Sequence, residues 1–126
     1  MAIPSGSGTE VLRRGVIATQ SSTATSFKFN GTNPSTGTAS DTVPANHIIT
    51  IITIIICEAA GSAETIDLLY SDGTSQLNML QSQALAGKAT FVWNDKFSLI
   101  GGDALKIVCS AADIDVYYTY LDQDWS

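Results

Sequence analysis

From Ile48 to Cys57 the chain reads IITIITIIIC, in which seven of ten residues are isoleucine and two are threonine. β-Branched side chains are stiff at χ1, mildly disfavour helix and pack well on a pleated surface, so the run predicts a strand. At ~3.3 Å per residue it spans about 33 Å, and it falls short of the ~20 apolar residues of a membrane helix. Strict alternation puts Ile48, Ile52, Ile54 and Ile56 on one side with Thr50. It puts Ile49, Ile51, Ile55 and Cys57 on the other with Thr53. Both sides are apolar, so both need a cover: a second sheet on one, and further chain or a neighbouring subunit on the other.

The remaining pattern is mostly period two. Glu10 to Thr19 reads as a first strand that Gly15 interrupts as a bulge. Phe27-Lys28-Phe29 reads as a short strand with both rings on one side, and GTNPSTGTASDTVP after it as a long loop. Thr65 to Ser71 places Ile66, Leu68 and Tyr70 inward. Ala89 to Asn94 aligns Phe91 with Trp93, and Lys96 to Ile100 aligns Phe97 with Leu99. Ala104 to Ser110 aligns Leu105, Ile107 and Cys109. Ile114 to Leu121 aligns Ile114, Val116, Tyr118 and Tyr120 against Asp115, Tyr117 and Thr119. Only Thr74 to Ala86 departs. Its helix-forming residues and the spacing of Leu77, Met79 and Leu80 predict a helix. Short strands every 8–12 residues, with Gly, Asn and Asp turns between them, mark an all-β fold. The expectation is a two-sheet β-sandwich, jelly-roll-like, over residues 10–126 with at most one short helix. Residues 1–9, MAIPSGSGT, carry no core-forming pattern and read as a flexible N-terminal arm.

Composition narrows the function. The 126 residues carry 12 acidic and 6 basic side chains, a net charge of −6, which excludes the basic footprint of a nucleic-acid binder. Charged residues make up 14%, below the usual ~25%, and hydroxyls take their place. Such a surface packs against a neighbour at low desolvation cost. No stretch reads as a signal peptide, since Arg13 and Arg14 interrupt the first eighteen residues. Cys57 and Cys109 therefore read as reduced, small core residues rather than as a bridge between the sheets.

Candidate chemistry is sparse. The single histidine, His47, has no nucleophile or base motif beside it and reads as a strand-end residue. Neither HExxH nor paired CxxC is present, so no metal site and no cofactor are expected. Asp113/Asp115 and Asp122/Asp124 fall at i,i+2. Either pair could face a cation, but both lack the glycine and glutamate of a calcium loop and read better as turn and surface residues. Trp93 and the Tyr117–Tyr120 segment could form a sugar-stacking platform, although alternating aromatics more often build cores and interfaces.

Four phrases, MAIPSGSGTEVLRRG, VPANHIITI, TFVWNDKFSLIGGDALKI and DIDVYYTYLDQDW, together resemble small virion structural proteins of tailed bacteriophages, marine cyanophages in particular. The resemblance implies a capsid decoration, or cement, protein: a β-sandwich on the outside of an icosahedral head, commonly a homotrimer or homodimer, that stiffens the shell. It carries over no functional residues. The expected partners are the major capsid protein and further copies of the chain, with no nucleic acid and no membrane. The arm and first strand supply the candidate capsid contacts Ile3, Pro4, Val11, Leu12, Arg13 and Arg14. Ile49, Ile51, Ile55, Tyr117 and Trp125 are the candidate oligomer interface. The alternative is a tail or fibre protein that binds a host glycan through its aromatics.

Overall fold

The isoleucine run forms β3 (His47–Glu58), the twelve-residue strand at the centre of the larger sheet. The other elements are β1 (Thr9–Gln20), β2 (Thr25–Ser26), β4 (Glu64–Ser71), β5 (Gln76–Leu85), β6 (Thr90–Trp93), β7 (Phe97–Ile100), β8 (Ala104–Cys109) and β9 (Ile114–Asp124). The structure, a computed structural model, describes residues 9–20, 23–29, 42–111 and 113–125. Residues 1–8 of the expected arm and 31–41 of the expected long loop lie outside the described residues, whereas Thr9, the last residue of that arm, begins β1 opposite Asp124. All pairings are antiparallel, in the orders β1-β9-β3-β6 and β2-β8-β4-β5, with β7 sharing the β6 edge of β3. With β6 and β7 counted as one interrupted strand, the order is the double Greek key of a jelly roll. No helix occurs among the described residues.

The core lies between the sheets, and β3 feeds it differently from strict alternation. Ile49, Ile51, Ile54 and Ile56 all point inward and are fully buried. The change of phase is a bulge. Ile51 pairs with Tyr120 and Thr53 with Thr119, so Ile52 is one extra residue on β3. One added residue turns every later side chain to the opposite face. An apolar run on both faces tolerates that turn, and the turn brings Glu58 inward at the strand end. Each fully buried isoleucine stabilises the fold by about 1.5–3 kcal/mol relative to exposure.

Gly15 proves to be a close-approach site rather than a bulge. Register runs unbroken through Arg14↔Thr119, Gly15↔Tyr118 and Val16↔Tyr117, and the slip in β1 falls later, between Ile17 and Gln20. A Cβ at Gly15 would overlap the Tyr118 ring. That ring reaches across the core, where its hydroxyl donates to the Lys28 carbonyl at 2.8 Å and accepts the Lys28 N–H at 2.9 Å. Phe27 and Phe29 close over it, with centroids 4.7 and 6.0 Å from Tyr118. Both rings are buried as the sequence suggests, but the strand there is only Thr25–Ser26.

The expected helix over Thr74–Ala86 is an edge strand, β5. Opposite the four β4 residues Ile66 to Leu69, β5 spends the six residues Asn78 to Gln83, so its ladder contains two extra residues. Ser82 sits at a φ of 52°, and its N–H donates to the Asp67 carboxylate. The bulges break the period-two signal and leave Leu77, Met79 and Leu80 at spacings that imitate a helix face.

Candidate functional site

The outer surface of the larger sheet is the candidate site, because cross-strand pairing sets its apolar side chains in rows. Val16 pairs with Tyr117, Tyr117 with Ile55, and Ile55 with Val92, which makes one row across four strands. A second apolar pair, Ile48 with Ile100, lies further along. Leu12 and Leu121 form a third. Leu12 is 65% exposed, Val92 47%, Ile100 42% and Tyr117 38%, so four of the six exposed large hydrophobics among the described residues share this surface. Val16, Ala18, Ile55, Cys57, Asp115 and Tyr117 enclose a shallow pocket of about 320 Å³ at one end of it.

The candidate interface residues therefore divide. Ile55 and Tyr117 stand on the outer surface, whereas Ile49 and Ile51 are corrected to the core, because the bulge at Ile52 reverses the phase of β3. Trp125 is half-buried beside the start of β3. Its backbone N–H donates to the Asn46 carbonyl at 2.9 Å, and its indole nitrogen is buried without a partner among the described residues. Of the candidate capsid contacts, Ile3 and Pro4 lie outside the described residues. Val11, Leu12 and Arg14 are exposed on the edge strand. Arg13 faces inward.

Arg13 belongs to a charged cluster that sequence reading missed. Asp122, buried at the inward phase of β9, accepts from Arg13 Nε at 3.1 Å and pairs with His47 Nδ1 at 2.7 Å. His47 Nε2 lies 3.5 Å from Asp124 Oδ1. One carboxylate thus pins β1 and the start of β3 to β9. A signal was available: Asp122 continues the inward series Ile114, Val116, Tyr118 and Tyr120, and a buried carboxylate needs a cation. In a nucleophile–His–Asp arrangement, Nε2 faces a hydroxyl or thiol; here it faces a second carboxylate, which cannot attack through that imidazole. Asp122 and Asp124 both face His47, and the described residues contain no metal-ligating group of three or more.

The other chemistry-bearing groups serve the fold. Glu58 is buried at the end of β3, where its carboxylate accepts the N–H groups of Ala60, Gly61 and Lys88 at 2.6–2.9 Å. The Lys88 N–H, then those of Gly61 and Ala60, hold its carboxyl below the ordinary range against an opposing effect of burial. Cys109 is a core thiol, pushed up to about 11 by burial and then by the Glu64 charge, so it stays protonated. Cys57, read from sequence as core, is half-buried on the outer surface. Neither cysteine forms a disulfide. The aromatic segment separates as well. Tyr118 and Tyr120 are buried and stacked at 5.8 Å, and Trp93 meets Phe97 edge-on, leaving Tyr117 as the outward ring. No sugar-stacking ladder of Tyr117 to Tyr120 is formed.

Comparison with known proteins bears on this geometry through the fold. No protein-family model matches the chain, and no curated protein matches it. A solved structure described as Bacillus endospore appendages, a novel family of disulfide-linked pili, is similar over 100% of this chain and 97% of the other, with a TM-score of 0.52 and 16% identity. The likeness is one of fold. A chain in the structure of infectious bursal disease virus, Gt strain, is similar at a TM-score of 0.40 and 11% identity, covering 90% of this chain and 32% of that one.

Proposed function

We propose that the chain is a non-enzymatic structural subunit of a repeated assembly and, within that class, a decoration protein on the outer surface of a phage head. The observation that carries this reading is the in-register apolar row on the outer surface of the larger sheet. A solvated antiparallel sheet face is broken up by polar residues, and this row runs apolar without a break across four strands. The fold it shares with a chain described among disulfide-linked pili supports the assembly half of the reading. The phrase resemblance to phage virion proteins supports the head-surface half. In a lattice, many weak copies of one contact give tight attachment without a deep pocket or a reactive group.

The major capsid protein is the proposed partner, contacted through the N-terminal residues and the exposed edge of β1 at Val11, which lies off the outer sheet surface. Purified chain mixed with heads assembled from the phage's major capsid protein should co-sediment with them and appear on their outer surface by cryo-electron microscopy. Removing residues 1–9 should leave a folded domain that no longer co-sediments. A full-length chain that stays in the supernatant overturns the head-surface role. A truncated chain that binds to full occupancy overturns the assignment of the arm.

A further inference from the structure

The outer surface of the larger sheet has a definite size, charge and order of residues, and these select one occupant. Four strand positions at ~4.8 Å and a twelve-residue β3 at ~3.3 Å per residue span about 750 Å², close to the ~800 Å² per partner of a standard interface. The protein carries −6, yet the strands of this surface present only Glu10, Asp115 and Arg14, and the bordering turn adds the offsetting pair Asp95 and Lys96, a net of −1. Glu10 is already engaged there by Gln123 Nε2 at 2.8 Å. Two acidic copies repel each other elsewhere and meet here with little repulsion.

The order of residues is also self-complementary. A two-fold axis parallel to the strands, between β9 and β3, lays β1 of one copy over the β6–β7 edge of the other. In the apolar row, Tyr117 then falls over Ile55 of the second copy, and Val16 over Val92, each contact made twice. The next level along the strands runs Arg14, Thr119, Thr53. Opposite the β3 bulge it ends in the turn Asn94-Asp95-Lys96 between β6 and β7, with Asp95 exposed. The same axis therefore sets Arg14 of each copy towards Asp95 of the other. Aligned sheets pack in this way at about 30° with their facing side chains interdigitated.

We infer that this surface is an isologous interface with a second copy of the chain, centred on Tyr117 and Ile55 and flanked by two Arg14–Asp95 ion pairs. The inference deepens the structural-subunit reading by naming the occupant of that surface. Its readout is self-association alone, so loss of head binding leaves it standing, and its own failure leaves head binding standing.

The test is sedimentation velocity of the full chain from ~10 µM to ~500 µM, a range that populates a moderate-affinity dimer. The native chain should pass from its 13.3 kDa mass to twice that value. Val92→Asp, with Leu12→Asp as a second variant on a more exposed position, should remain at the single-chain mass while keeping the native circular dichroism spectrum. Arg14→Asp and Asp95→Arg should each weaken association at least ~threefold, and the double exchange should restore it. A native chain at single-chain mass throughout, or folded Val92→Asp and Leu12→Asp chains that associate as tightly as the native one, overturns the interface. A double exchange no better than the single ones overturns the two-fold setting.

Discussion

The two sheets of the sandwich present unlike outer surfaces. On the smaller sheet, Asp67 pairs with Val108, and Leu69 with Lys106 and Asn78, so charged and polar groups break up every apolar neighbour. On the larger sheet, Val16, Tyr117, Ile55 and Val92 follow one another with no polar residue between them. The smaller sheet is the ordinary wet face of an antiparallel sandwich. The larger has apolar residues on both sides, and the bulge at Ile52 determines which isoleucines serve which side. One strand thus supplies both the core and the proposed contact surface.

The largest test of that division separates neighbours on β3. Ile54→Ala should lower the unfolding free energy by about 3 kcal/mol, because Ile54 is fully buried and its loss leaves a cavity. Ile55→Ala should change it by less than about 1 kcal/mol at dilutions where the chain is monomeric. Urea titrations check both, and equal losses would break the account of the bulge. Gly15→Ala should destabilise by about 1–3 kcal/mol, since the new methyl group meets the Tyr118 ring. A neutral Gly15→Ala would mean that the ring has room to move.

A third test concerns the inward turn of Glu58. Its carboxyl is held below the ordinary range, so its contribution is complete above the unfolded value of 4.5 and is lost as pH falls through the lowered folded value. Thermal melts from neutral to strongly acidic pH should show a steeper decline for the native chain than for Glu58→Gln. Parallel declines would remove Glu58 from the account. The smallest expected effect is a control on the other sheet: Val108→Asp should leave the sedimentation of the native chain unchanged, in contrast to Val92→Asp. Loss of association from Val108→Asp would show that the two outer surfaces do not differ as described.

Much of this arrangement is legible in the sequence. The inward series of β4, β8 and β9 follow from alternation alone, because each of those strands keeps one phase through its large buried side chains. What alternation misses is phase change. The seven isoleucines make either phase of β3 equally apolar, so no residue type marks Ile52 as the extra one. In β5 the two bulges spread its leucines into a helical spacing, and pairing with β4 overrides helix propensity. The Arg13–Asp122–His47 cluster joins three strands far apart in sequence, and only the inward phase of Asp122 hinted at it. Arm and loop expectations rest on composition at residues outside those described.

The most direct test of the contact surface uses the two thiols. Cys57 lies in the pocket at one end of it, while Cys109 is buried in the core with its thiol pushed up to about 11. Alkylation at mildly alkaline pH should modify Cys57 and spare Cys109 while the chain is folded. Between ~1 µM and ~500 µM protein, the rate at Cys57 should fall severalfold in the native chain and stay constant in Val92→Asp, as expected for a surface covered by a second copy. A Cys57 rate independent of concentration in the native chain would contradict the account.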